Sequence, residues 1–68
     1  MQEKYKIGDV FVKKHVFDSN EFEVVGLRND AFEPYYTLRC VVYYGPLIEI
    51  GESELDKMYC KVGTMNKQ

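Results

Sequence analysis

Tryptophan is absent from this chain of 68 residues, histidine occurs once and cysteine twice. Each shortage removes a class of chemistry. Imidazole acid–base catalysis has only His15 to draw on, and His15 follows Lys13 and Lys14 on a stretch that reads as solvent-facing, so it is assigned to the surface. Cys40 and Cys60 form no C-x-x-C pair and lie far in sequence from the histidine, which leaves no metal or redox spacing. Cys40 falls on the inward side of a strand, where a thiol is an inert small hydrophobe. The five glycines are scattered at turns and make no phosphate-cradling loop. Glu49, Glu52, Glu54 and Asp56 are close in sequence, but no D-x-D-x-D-G-type loop holds them around a cation. The expectation is a protein that is not an enzyme, with no catalytic residue, no metal and no cofactor.

Long apolar runs are also missing. None approaches 18 residues, so no membrane-spanning helix is expected. The opening residues Met1 to Lys6 lack the apolar core of a signal peptide. Free thiols in a reducing cytoplasm follow from that reading; export by another route would instead let Cys40 and Cys60 staple the second half of the chain. Basic charge is not in surplus either, with 9 Lys and Arg against 11 Asp and Glu and a net charge of −2. A protein that grips a phosphate backbone normally carries a basic excess on one face. Lys4, Lys6, Lys13, Lys14 and His15 do gather near the N-terminus, and they read as the lysine protection of a sheet edge.

What the chain does have is strand-forming bulk: 46% hydrophobic residues and 15% aromatics. That composition excludes disorder. It makes one domain, spanning 1–68 with an ordered part at 7–62 and frayed ends at 1–6 and 63–68, near the size at which a single core barely holds a fold. Such a chain needs an economical fold, a staple or a partner.

The firmest segment is 35–44, ten residues of almost uninterrupted aromatic and β-branched side chains ending at Gly45 and Pro46. It is the expected central strand, with Tyr36, Leu38, Cys40, Val42 and Tyr44 on the inner face and Tyr35, Thr37, Arg39, Val41 and Tyr43 on the outer. Before it, Gly8 and Asp9 turn the chain into a strand at 10–16 on which Val10, Val12 and Val16 share a face. Residues 17–20 are a polar turn. A second strand at 21–28 sends Phe22, Val24 and Gly26 inward, because Glu21 and Glu23 on the other side cannot be buried unpaired. Antiparallel partners share a face, so these three must oppose even-numbered residues of the central strand, and one allowed register sets Glu23 against Arg39. Gly26 in mid-strand marks a bend or bulge. Residues 29–34 form a loop and 47–50 a short strand. Ser53 reads as a helix N-cap with Asp56 reaching back to it, and Leu55, Met58 and Tyr59 form one apolar stripe. Residues 60–62 close the chain as a last strand.

Strand, strand, long strand, short strand, one helical turn and a last strand: this order resembles an SH3-like small β-barrel. The turn at Ser53 to Tyr59 sits where that fold plugs one barrel end, and Ile7 to Val10 looks like its opening turn. The fold class expected is therefore all-β, about five antiparallel strands with one short helical turn before the last; a five-strand OB-like barrel is the alternative. Proline-peptide recognition does not carry over, since the SH3 groove relies on a tryptophan. In size and composition the chain is also similar to small accessory proteins of bacteriophages and mobile elements, many of which bind and block one host protein.

The outer face is the remaining feature. Val25, Leu27, Tyr35, Val41 and Tyr43 with Arg39 among them, extended by Phe32, form an apolar and aromatic surface of the kind that anchors protein partners. The reading is a protein-binding module or inhibitor acting on a host protein in the cytoplasm. A homodimer using the same face is a second reading, and a nucleic-acid binder stacking bases on Tyr35 and Tyr43 a third. Glu21, Glu23 and Glu33 nearby weigh against the third. No membrane partner is expected.

Overall fold

The computed structural model describes residues 3–42 and 45–64. Five strands and one helix follow in the order β1 (Asp9–Lys13), β2 (Phe22–Asn29), β3 (Pro34–Cys40), β4 (Ile48–Gly51), α1 (Glu52–Met58) and β5 (Tyr59–Thr64). The strands make one antiparallel sheet of order β4-β3-β2-β1-β5. The first four thus form a meander, and β5 returns to lie along β1. Edge protection by lysines does not apply to β1, which lies inside the sheet; the edges are β4 and β5. The centre of the order is β2, while β3 is paired on both sides.

One face of this sheet carries the core. Phe11, Phe22, Val24, Tyr36, Leu38, Cys40 and Ile50 are buried together with Leu55 of α1 and Tyr59 of β5. The helix starts directly at the end of β4 and hands the chain directly to β5, packing Leu55 onto the core between them. On β1 it is Phe11, opposite Phe22, that enters the core, whereas Val10 lies opposite Glu23 on the other face. Gly8 adopts φ 102°, a conformation that costs glycine little, and Asp9 accepts the Lys6 N–H at 3.0 Å to close the opening turn.

The expected register holds along the first half of β2: Phe22 opposes Cys40, Glu23 opposes Arg39 and Val24 opposes Leu38. Then Val25 bulges. Gly26 opposes Thr37, Leu27 opposes Tyr36 and Arg28 opposes Tyr35. The extra residue reverses the parity, so Gly26 moves off the inner face and Leu27 moves onto the Tyr36 side.

β1 and β3 are shorter than the residue pattern suggests, because β-propensity needs a partner to act on. β4 covers β3 only from Tyr35 to Leu38, and β2 ends its pairing at Cys40. Val42, expected inside, is 67% exposed. Residues Tyr43 and Tyr44 of that expected strand lie outside the described residues. β1 stops at Lys13, opposite Tyr59, and His15 then turns left-handed at φ 61°, which leaves Val16 exposed.

The helix begins one residue before the expected cap. Gly51 holds the N-cap position without a side-chain bond, and the Ser53 N–H is met instead by Glu33 Oε1, at 2.8 Å, from the loop joining β2 to β3. Of the expected stripe, Leu55 and Tyr59 are buried and Met58 is exposed, since the chain straightens into β5 at Tyr59. Asp56 does not reach back to Ser53; it accepts hydrogen bonds from the Tyr5 hydroxyl and from Lys4 Nζ. Residues 3–6 are accordingly tied down where fraying was expected. The Tyr5 ring packs edge-on against Phe11 and Tyr36, and its N–H donates to the Tyr36 hydroxyl. At the other end, β5 runs past 62 to Thr64.

Lys4, and after it the Tyr5 hydroxyl, hold the Asp56 carboxyl below its ordinary value. A depressed carboxyl stabilises the fold above its unfolded pKa and loses that effect as pH falls through the folded one. The stability difference between wild type and Asp56→Asn is therefore expected to stay constant down to about pH 4 and shrink below it, as read by urea unfolding across pH. Leu38→Ala, at a fully buried position, is expected to cost about 2–5 kcal/mol by the same assay.

Candidate partner-binding face

The face opposite the core is assembled from cross-strand rows. Glu23 and Arg39 make one row; Gly26, Thr37 and Glu49 the next; Arg28, Tyr35 and Gly51 the last. Arg39 Nη2 meets Glu23 Oε1 at 3.1 Å, the pair that the expected register brings together. Arg28 Nε meets Glu49 Oε2 at 3.0 Å, and the Arg28 guanidinium lies 4.8 Å from the centre of the Tyr35 ring. The Arg28 guanidinium holds the Glu49 carboxyl below its ordinary pKa.

The residues singled out from the sequence do not all meet here. Tyr35 and Arg39 stand on this face, half-buried, at opposite ends of β3. Phe32 sits in the loop of residues 30–33 beyond the Tyr35 end and is 87% exposed. Val41 lies past the other end of the strand, half-buried, its N–H donating to Glu21 O at 2.9 Å. Val25 is the bulged residue. Leu27 is turned to the Tyr36 side by that bulge and leaves the set. Tyr43 lies outside the described residues.

Arg28 and Glu49 are the members that sequence reasoning missed. The signal was available at Gly26: a bulge there shifts every later residue of β2 to the opposite face, which takes Leu27 away and brings Arg28 in. The surface is thus less apolar than expected and more amphipathic, an arginine stacked on tyrosine with carboxylates to either side. Such an arrangement can present a flat cation–aromatic surface, but it places no nucleophile beside a base.

Exposed ion pairs contribute little to stability. Glu49→Gln is expected to change unfolding free energy by less than about 1 kcal/mol in a denaturant titration, leaving Arg28 with the longer ion pair to Asp30 at 3.9 Å. Compared with known proteins, the chain matches no family model, no curated protein and no solved structure at a significant level.

Proposed function

We propose that this protein is a non-enzymatic binding module of SH3-like barrel type that docks a protein partner on its outer sheet face. The observation that carries the reading is the Arg28–Tyr35 stack on this face, with the nearly bare Phe32 in the loop that precedes β3. Tyrosine and arginine are concentrated at interface hot spots and phenylalanine is enriched in interface cores: the aromatic rings bring large contact area with few torsions to freeze, and an arginine already stacked and paired loses less freedom than a free one. The charges are held in place before any partner arrives, which lowers the ordering cost of binding. Glu23 and Glu49 on the same face repel a phosphate backbone, so a protein is favoured over nucleic acid. The size of the chain and its likeness in composition to bacteriophage accessory proteins support a host protein as the target, inhibited or modulated by occupation of its surface. Two unpaired cysteines suit a reducing cytoplasm.

Tagged wild type should capture one partner from a host-cell lysate. Titrating that partner with Tyr35→Ala and with Phe32→Ser is expected to show each losing about 2 kcal/mol or more of affinity, roughly thirtyfold, with the fold unchanged by circular dichroism. Unaltered affinity in both variants would place the binding surface elsewhere. Capture of single-stranded oligonucleotides, lost in Tyr35→Ala, would favour the nucleic-acid reading.

A further inference from the structure

The loop from β1 to β2 carries an arrangement that the outer face does not use. Phe17 is 93% exposed, the most exposed large hydrophobic residue described. It is bracketed by two left-handed residues, His15 at φ 61° and Asp18 at φ 62°. Histidine and aspartate are among the non-glycine residues that adopt this conformation most readily, and here the pair reverses the chain on either side of Phe17. The Lys13 N–H donates to Ser19 Oγ, the Lys14 N–H to Met58 O, and Lys14 Nζ to Asp56 O. These bonds fix the two ends of the loop on which Phe17 is exposed.

Next to it lies a cleft of about 270 Å³ between this loop and α1. Val16, Ile50, Met58 and Tyr59 supply its apolar walls, and Lys13 and Lys14 stand on the loop side. Small-molecule pockets run to roughly 300–1,000 Å³, so this one suits a single large side chain better than a free ligand. Methionine in the wall adapts its shape to what enters. Glu54 on the helix side leaves the lysines as the place for an incoming carboxylate.

We propose that the occupant is Phe17 of a second copy of this chain, with the adjoining Asp18 facing Lys13 and Lys14. Ring and carboxylate, apolar cleft and lysines are matched in chemistry and are carried on the same loop. Because Phe17 follows Val16 directly, a two-fold axis through this end lets each chain give and receive at once, and the contact closes as a dimer. Phe32 and Glu33 make a similar aromatic–acid pair, but at the opposite end of the β2–β3 hairpin, where insertion into the cleft would be head-to-tail and would not close. The dimer leaves the Tyr35 and Phe32 surface free, so the proposal stands or falls separately from the partner site.

Sedimentation equilibrium over a concentration series, with wild type, Phe17→Ser, Lys13→Glu and Phe32→Ser, tests this. Wild type and Phe32→Ser should give the same dimer, Phe17→Ser should raise its dissociation constant at least a hundredfold, and Lys13→Glu about tenfold. Since Phe17 and Lys13 are exposed, circular dichroism should show all four chains folded. A wild type that remains monomeric at millimolar concentration overturns the proposal. So does a dimer that survives Phe17→Ser, or one that Phe32→Ser weakens equally, since the contact would then be mere stickiness of bare aromatics.

Discussion

The hydroxyl of Tyr36 is the point through which the parts of this molecule communicate. The ring is fully buried, yet its oxygen donates to Glu52 Oε2 at 2.6 Å and accepts the Tyr5 N–H at 3.1 Å. A buried hydroxyl without partners costs about 1–3 kcal/mol, a sizeable fraction of a small domain's stability. The helix start and the N-terminal segment are thereby recruited to satisfy one core residue, and Lys4 N donates to the same Glu52 oxygen at 2.9 Å. Burial, with Glu52 behind it, pushes the Tyr36 hydroxyl up to about 12, so it remains a neutral donor under any physiological condition. Sixty-eight residues hold a core partly because this polar knot joins three segments distant in sequence.

Local pattern was enough to read the strand count, the helix before the last strand and the facing of Phe22 and Val24 toward even-numbered residues of β3, with Glu23–Arg39 as one of the registers it allowed. These follow from alternation on β2 and β3, where one face is buried and a one-residue slip would bury a glutamate. Reading failed where the answer depends on a partner strand or on contacts far along the chain. Val42 belongs to a run that is as strand-like as Leu38, but no neighbouring strand extends to it. Ser53 looks like a cap in isolation, and Glu33 takes that role from twenty residues away. Tyr5 sits in a polar stretch whose order comes from Asp56, 51 residues later. Nothing near either residue records the contact.

The candidate site shows the same division. Tyr35 and Phe32 were visible as aromatics where a strand and a loop should be, while the companions of Tyr35 depended on how the Val25 bulge reset the parity of β2. One inserted residue exchanges a leucine for an arginine on the outer face. It changes the character of that surface from greasy to cation–aromatic without altering the sequence around it, and it places Glu49 where it can hold the new arginine upright.

The borrowed cap of α1 bears on how the chain assembles. A helix of seven residues has no stable nucleus of its own, since the first turn orders several residues for one hydrogen bond. With glycine at its N-cap and its first-turn N–H satisfied by the β2–β3 loop, α1 draws its order from contacts distant in sequence: Glu33 at its start, and Lys4, Tyr5 and Lys14 along Glu52 and Asp56. Its successor β5 pairs only with β1, some fifty residues back, and must wait for the helix to aim it there. Pairing β5 with β1 closes a far longer loop than any hairpin does, so it carries the largest closure cost among these strand pairings. Loss of the Glu33 contact would register as a slower closing of the N- and C-terminal strands, at a place in the fold far from Glu33 itself.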